Sequence, residues 1–199
     1  VSFKYPGAEE YVLKDISFTA RPGETTAFIG STGSGKSTII NLIPRFYDVT
    51  EGKILLDGVN IKDIKLHDLR EKIGYVPQKS VLFTGTIESN LKYGKNFEVS
   101  NRDVLKAIEI AQAKEFIDNQ EKGTLYEISQ GGTNVSGGQK QRLSIARALA
   151  KKPEIFIFDD SFSALDFKTD AALRKAMSDE IKDRTILMIA QRISTIMNA

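Results

Sequence analysis

The residues best able to do chemistry lie in Gly30-Ser31-Thr32-Gly33-Ser34-Gly35-Lys36-Ser37-Thr38, which fits the G-x-x-x-x-G-K-[ST] pattern of a loop that cradles phosphates. Its glycines let backbone N–H groups turn toward phosphate oxygens. The helix expected after Gly35 aims the positive end of its dipole at the same anion. In this reading Lys36 bridges the terminal phosphates and the Ser37 hydroxyl faces Mg2+. A magnesium phosphate complex also needs a carboxylate at the end of a neighbouring strand, and Ile155-Phe156-Ile157-Phe158-Asp159 supplies Asp159. An ordinary glycine-rich turn has no need of that carboxylate.

These groups must be positioned by strands and helices, and the apolar periodicity indicates which. Short apolar runs bounded by turn residues predict strands over Val1–Tyr5, Leu13–Ala20 and Thr25–Gly30, with Arg21-Pro22-Gly23-Glu24 as a turn. A helix from Gly35 to Pro44, a strand within Gly52–Gly58, a short helix over Leu66–Lys72 and a strand over Ile73–Pro77 follow. From Thr86 to Lys151 no good strand candidate occurs, and Val104, Leu105, Ile108 and Ala111 repeat at helical spacing. Strand character returns at Ile155–Asp159 and Thr185–Ala190, with a helix over Phe167–Ile181 between them, so the order points to a parallel α/β core.

Composition narrows the function classes. A hydrophobic fraction of 41% with 27% charged residues fits a water-soluble globular chain. The longest apolar runs fall well short of the roughly 20 residues that cross a bilayer. Against 28 basic residues stand 26 acidic ones, so no global field favours nucleic acid and any anion site is local. Lys140, Arg142, Arg147, Lys151 and Lys152 gather around one helix and read as a solvated face. With no cysteine and a single histidine, His67, neither thiolate chemistry nor a histidine metal cluster is available. The 199 residues suit one domain, and the chain reads as a piece cut at both ends from something longer.

A second anion-binding helix start follows the loop at a distance. In Asn134-Val135-Ser136-Gly137-Gly138-Gln139-Lys140-Gln141-Arg142, the Ser136-Gly137-Gly138 step precedes a helical pattern through Leu143, Ala146 and Leu149 that ends before Pro153. The segment resembles the LSGGQ signature of ABC transporter ATPases, with Val135 in place of leucine. The resemblance spans essentially the whole chain. It places Tyr5, in Phe3-Lys4-Tyr5-Pro6-Gly7, as the aromatic that stacks on adenine, and Gln78 as the glutamine whose amide oxygen reaches Mg2+ or its water. Ser163, Ala164, Leu165 and Asp166 match the D-loop. Phe46-Tyr47-Asp48 with Gly52-Lys53-Ile54 and Leu69-Arg70 is similar to the exporter type.

The resemblance implies a phosphate-loop NTPase fold. Its RecA-like, mostly parallel core carries an N-terminal antiparallel β subdomain and an inserted α-helical subdomain, residues 84–152, bearing the signature; the whole of 1–199 is then one ABC ATP-binding domain. It implies ATP and Mg2+ as ligands, with Ser136, Gly137, Gly138 and Gln139 closing over the ATP of a second ABC ATP-binding domain paired head to tail. It also implies a transmembrane domain, N-terminal on the same full-length chain, a place on the cytoplasmic face of the membrane, and no nucleic acid.

Two positions depart from the family. Where a glutamate that polarises the attacking water usually follows the strand carboxylate, this chain has Asp159-Asp160, and the usual switch histidine is Gln191. One methylene fewer withdraws the carboxylate by roughly 1–1.5 Å, and a misplacement of about 1 Å costs on the order of 10²-fold in rate. Glutamine donates a hydrogen bond to a γ-phosphate without titrating near neutral pH. The family's exporter glutamate ahead of the signature is Gln130. Two substitutions weakening one reaction resemble the degenerate half of a heterodimeric exporter, with a non-identical partner. Two other readings stand beside it: a soluble ABC ATPase outside transport, and a nucleotide-gated dimer clamp that rarely hydrolyses.

Overall fold

The computed structural model describes residues 1–94 and 99–190. Strand β1 (Thr25–Phe28) leads through a glycine-rich loop into helix α1 (Lys36–Leu42), and a small hairpin of β2 (Leu55–Leu56) and β3 (Val59–Asn60) follows. Helix α2 (Leu66–Glu71) precedes β4 (Ile73–Val76). A mainly helical stretch comes next, with β5 (Gly85–Thr86), α3 (Ile87–Leu91), α4 (Asn101–Ile110), α5 (Lys114–Asp118), β6 (Glu127–Ile128) and α6 (Gly137–Ala150). Strand β7 (Ile155–Asp159), helix α7 (Phe167–Glu180) and strand β8 (Thr185–Ile189) complete the described elements. Among the described residues no helix is long and apolar enough to cross a membrane.

The central sheet has the order β1-β8-β7-β4 and every pairing in it is parallel. Parallel strands need helical crossovers, which cover both faces, so the inner strands are apolar throughout. All five residues of β7 are buried. Alternation along the strand divides the core: Phe156 and Phe158 pack with Leu143, Ile145 and Leu173 on one face, while Ile155 and Ile157 pack with Ile40, Leu69 and Ile189 on the other. Gly74 on β4 is required by this packing, because a Cβ there would lie 2.6 Å from the Pro153 ring and 3.4 Å from the Ala148 carbonyl.

Three sequence expectations are corrected. Val1–Tyr5 and Leu13–Ala20 do not form strands; Ser2 bridges Glu51 and Phe3 bridges Leu13 singly, so the antiparallel pairing on this side is confined to those bridges and the β2–β3 hairpin. The strand expected over Gly52–Gly58 shrinks to Leu55–Leu56, because Asp57 (φ 50°) and Gly58 (φ 81°) both enter the left-handed region and turn the chain back. Within the helical stretch, β5 and β6 add a two-residue antiparallel ladder.

Of the basic residues on and just after α6, Arg142, Arg147 and Lys151 are cross-links rather than a solvated face. Arg142 donates to the Gln112 carbonyl at 2.7 Å and its guanidinium lies over the Phe116 ring. Lys151 donates to the Arg70 carbonyl at 2.6 Å, and Lys152 pairs with Asp103. Arg147 reaches the Asn90 carbonyl and side-chain oxygen, both at 2.8 Å, and the Val81 carbonyl at 3.0 Å. Asn90, only 1% exposed, donates in turn to the Phe83 and Thr86 carbonyls and accepts from the Phe83 N–H. Burial lowers the Arg147 pKa, yet the five-residue network supplies acceptors to its guanidinium. Asn90→Ala orphans the Phe83 amide and part of the guanidinium; we expect a loss of about 3 kcal/mol in urea unfolding, much more than a surface Asn→Ala change.

Candidate functional site

The site grows from the loop between β1 and α1. Gly33 (φ 83°) and Gly35 (φ 89°) occupy the left-handed region, and a Cβ on Gly35 would sit 2.8 Å from the Leu13 side chain. The Lys36 ammonium folds over the loop and donates to the Gly30 carbonyl at 2.8 Å, the Ser31 carbonyl at 2.7 Å and the Ser34 hydroxyl at 3.2 Å. A flexible cation held by neutral acceptors at the surface is free to exchange them for an anion with stronger charge-assisted bonds. Thr32, Ser34 and Gly33 are exposed around it, and Thr38 is buried behind it.

Across the loop, the Ser37 hydroxyl donates to Asp159 Oδ1 at 3.1 Å, joining the start of α1 to the end of β7. The Tyr75 hydroxyl lies 2.9 Å from Asn41 Oδ1 and 3.4 Å from Asp159 Oδ2. Burial raises the Asp159 pKa, opposed by the hydrogen bonds from Ser37 and Tyr75. Burial, followed by the Asp159 charge, also drives the Tyr75 phenol upward. A hydroxyl and a carboxylate are hard oxygen donors that suit Mg2+. Among the described residues no group of three or more His, Cys, Asp or Glu side chains is placed to hold a metal.

Asp160 is 8% exposed and adopts φ 45°, an uncommon conformation for a side chain larger than glycine. The Gln78 amide donates to Asp160 Oδ2 at 3.2 Å, so Gln78 meets the second carboxylate of the pair. The Ser161 hydroxyl, completely buried, ties the same turn to the Val76 carbonyl at 2.7 Å.

Tyr5 borders a cleft of about 540 Å³ lined by Phe3, Lys4, Tyr47, Asp48 and Thr50. Its hydroxyl lies 3.0 Å from Thr38 Oγ1 on α1, which connects the cleft to the phosphate loop. Tyr47, Tyr75 and Asn41 were not singled out by sequence as site residues. Tyr75 and Asn41 belong to no local pattern, Tyr47 stands in the exporter-like Phe46-Tyr47-Asp48 without a site role there, and each reaches the site through a contact distant in the chain.

Ser136 caps α6: its hydroxyl accepts from the Gln139 N–H at 3.2 Å and the Gln139 side chain accepts from the Ser136 N–H at 2.8 Å. Gly137 has open space around it, and Gly138 approaches the Ala164 carbonyl closely enough that a Cβ would lie 3.5 Å away. The signature and the D-loop are therefore neighbours. In the D-loop, Ser163 donates to the Asp160 carbonyl at 3.0 Å, Leu165 is buried, and Asp166 caps α7 through Thr169. Hydrogen bonds from Thr169 lower the Asp166 pKa. Among the described residues no hydrogen bond joins Ser136, Gly137, Gly138 or Gln139 to residues 30–38. Gln191 lies outside the described residues.

The family model described as "ABC transporter" matches residues 13–163. All of the chain aligns with an ABC transporter ATP-binding protein of Mycobacterium tuberculosis at 48% identity, and with an ATP-dependent lipid A-core flippase of Pseudomonas aeruginosa at 46%. It spans 34% of the first protein and 33% of the second, about a third of each. It also superimposes over its whole length on 34% of a bacterial Atm1-family ABC exporter solved with ATP bound, with a TM-score of 0.94 and 40% identity.

Asp159 is held at a cost to the unliganded fold. A carboxyl whose folded pKa is raised stabilises the fold below its unfolded pKa, and that contribution is lost as pH rises through the folded value. Asp159→Asn is therefore expected to raise the melting temperature of the nucleotide-free chain at pH 7, with the difference shrinking as pH falls below about 4, where the carboxyl is protonated in both states. The family match runs across both the phosphate loop and Asp159, and the chain belongs to the ABC transporter family.

Proposed function

We propose that this chain binds MgATP at a head-to-tail interface with a second ABC ATP-binding domain and hydrolyses it slowly at its own site. The observation that carries the reading is the joined pair of contacts at the loop. Lys36 lies over the Gly30 and Ser31 carbonyls, and Ser37 is bonded to Asp159 at 3.1 Å. In the proposed complex the Lys36 ammonium leaves those carbonyls for the terminal phosphates, and Ser37 and Asp159 hold Mg2+. The ion supplies charge neutralisation at the β- and γ-phosphates. Tyr5 stacks on the base.

Asp160 takes the place of the water-orienting carboxylate, with Gln78 donating to it at 3.2 Å. Its side chain is one methylene short of the family's glutamate, and Gln191 contributes a neutral hydrogen bond where a histidine would titrate. Gly137 and the cap at Ser136 are open to solvent, which suits a helix start that receives a phosphate from a partner. That arrangement leaves the chain able to complete an ATP site whose glutamate and histidine belong to a non-identical half-transporter.

The relatives, three times as long, include a flippase by name, and this supports coupling of ATP binding and hydrolysis to export through a membrane domain on the same full-length chain, at the cytoplasmic face. The surface offered to such a domain is the apolar group of Phe46, Val81, Phe83 and Tyr93, each at least 39% exposed and rimmed by Arg70, Arg147 and Lys151.

Steady-state phosphate release by the purified chain tests the slow-site reading. The unmodified chain is expected to turn over slowly, and Asp160→Glu combined with Gln191→His to raise the rate by up to about 10²-fold. Brisk turnover by the unmodified chain alone contradicts it.

A further inference from the structure

The cleft beside the phosphate loop is walled by two tyrosines, Tyr5 and Tyr47, and only the first has a role in the reading above. Stacking on a base depends on the plane of the ring that receives it. The Tyr5 hydroxyl bond to Thr38, at 3.0 Å, fixes where the far end of the side chain sits. The hydroxyl oxygen lies on the Cγ–Oη axis, about which the ring turns, so its position alone does not set the plane. The plane must be set by neighbours beside the ring.

Two rings do this. Phe3 meets Tyr5 edge to face, with centroids 5.0 Å apart and planes at 79°, and Tyr47 meets it at 5.1 Å and 90°. Phe3 and Tyr47 also touch, at 5.8 Å, so the three rings form a closed group. Phe3 is 2% exposed and packs with Leu13, Leu42 and Val49 as part of the core. Tyr47 is 41% exposed on a braced loop. Just before it Arg45, at φ 53°, bonds the Asp48 carboxylate at 3.0 Å and the Ile61 carbonyl at 3.1 Å, and the Phe46 N–H bonds the Asn41 carbonyl at 3.1 Å.

We propose that Tyr47 is a positioning residue for the nucleotide base: its ring, perpendicular to that of Tyr5, holds the Tyr5 plane in the orientation on which the base stacks. The inference rests on the reading of Tyr5 as the base-stacking residue. It predicts a defect confined to ligands that carry a base.

Calorimetric titration with MgATP and with magnesium tripolyphosphate, a ligand with phosphates and no base, separates the possibilities. Tyr47→Ala raises the MgATP dissociation constant roughly three- to ten-fold, the size expected from one lost edge-to-face pair, and leaves tripolyphosphate binding unchanged. Tyr47→Phe, which keeps the ring, retains the unmodified affinity for both. If Tyr47→Ala leaves MgATP binding unchanged or weakens both ligands alike, or if Tyr47→Phe behaves as Tyr47→Ala does, the proposal is overturned. Tyr5→Ala distinguishes this failure from that of the underlying reading. A base-specific loss with Tyr5→Ala and none with Tyr47→Ala removes Tyr47 alone, whereas a base-specific loss with neither removes the stacking role of Tyr5 as well.

Discussion

The hydrogen bond from Ser37 to Asp159 joins two elements that are far apart in sequence and that the proposed magnesium nucleotide site requires side by side. Its length of 3.1 Å is a consequence of the parallel sheet, in which β8 lies between β1 and β7 and all three strands point the same way. The loop after β1 and the carboxylate closing β7 thus emerge at one edge. Everything else at the site is arranged around that junction: Lys36 folded over the loop, Tyr75 behind the carboxylate, Gln78 on Asp160, and Tyr5 bonded to Thr38 on the far side of α1. The same junction carries a cost, because the Asp159 carboxylate is partly desolvated there.

Much of this was legible in the sequence where the signal is local. The phosphate loop is a contiguous pattern, and Ile155–Asp159 and Thr185–Ile189 are short, mostly apolar runs of a length that suits a buried strand. The start of α6 was legible for the same reason, since Ser136-Gly137-Gly138 immediately precedes a helical pattern through Leu143, Ala146 and Leu149. Strands that depend on a partner were not. Val1–Tyr5 alternates as a strand does, yet it meets Glu51 and Leu13 through single bridges, and no run of residues across from it supplies a ladder. Asp57-Gly58 is a hairpin signal that was read as punctuation, which hid Val59–Asn60.

Side-chain contacts over long sequence separations were the least legible part of the candidate site. Tyr47 touches Tyr5 across more than forty residues, and nothing near Tyr47 in the chain announces it. Arg147 and Lys151 illustrate the same limit from the other direction. At helical spacing among alanines and leucines they read as a wet face, whereas their charges end on backbone carbonyls of Asn90, Val81 and Arg70. Long basic side chains bury their stems and carry the charge to a distant acceptor, so their position on the helix does not show where the charge resides.

The proposed assignment of roles divides the chain between two nucleotides, with the loop and Asp159 serving its own and the open start of α6 serving a partner's. Its central claim is that the affinity of this chain for nucleotide resides in the phosphate cradle at Lys36, Ser37 and Asp159. The direct measurement is an equilibrium titration of the unmodified chain with MgATP and, separately, with adenosine, which offers the base cleft its ring and the cradle nothing. The account predicts binding of MgATP tighter than adenosine by at least about 10²-fold, the scale of two charge-assisted contacts. Equal affinities for the two would contradict it.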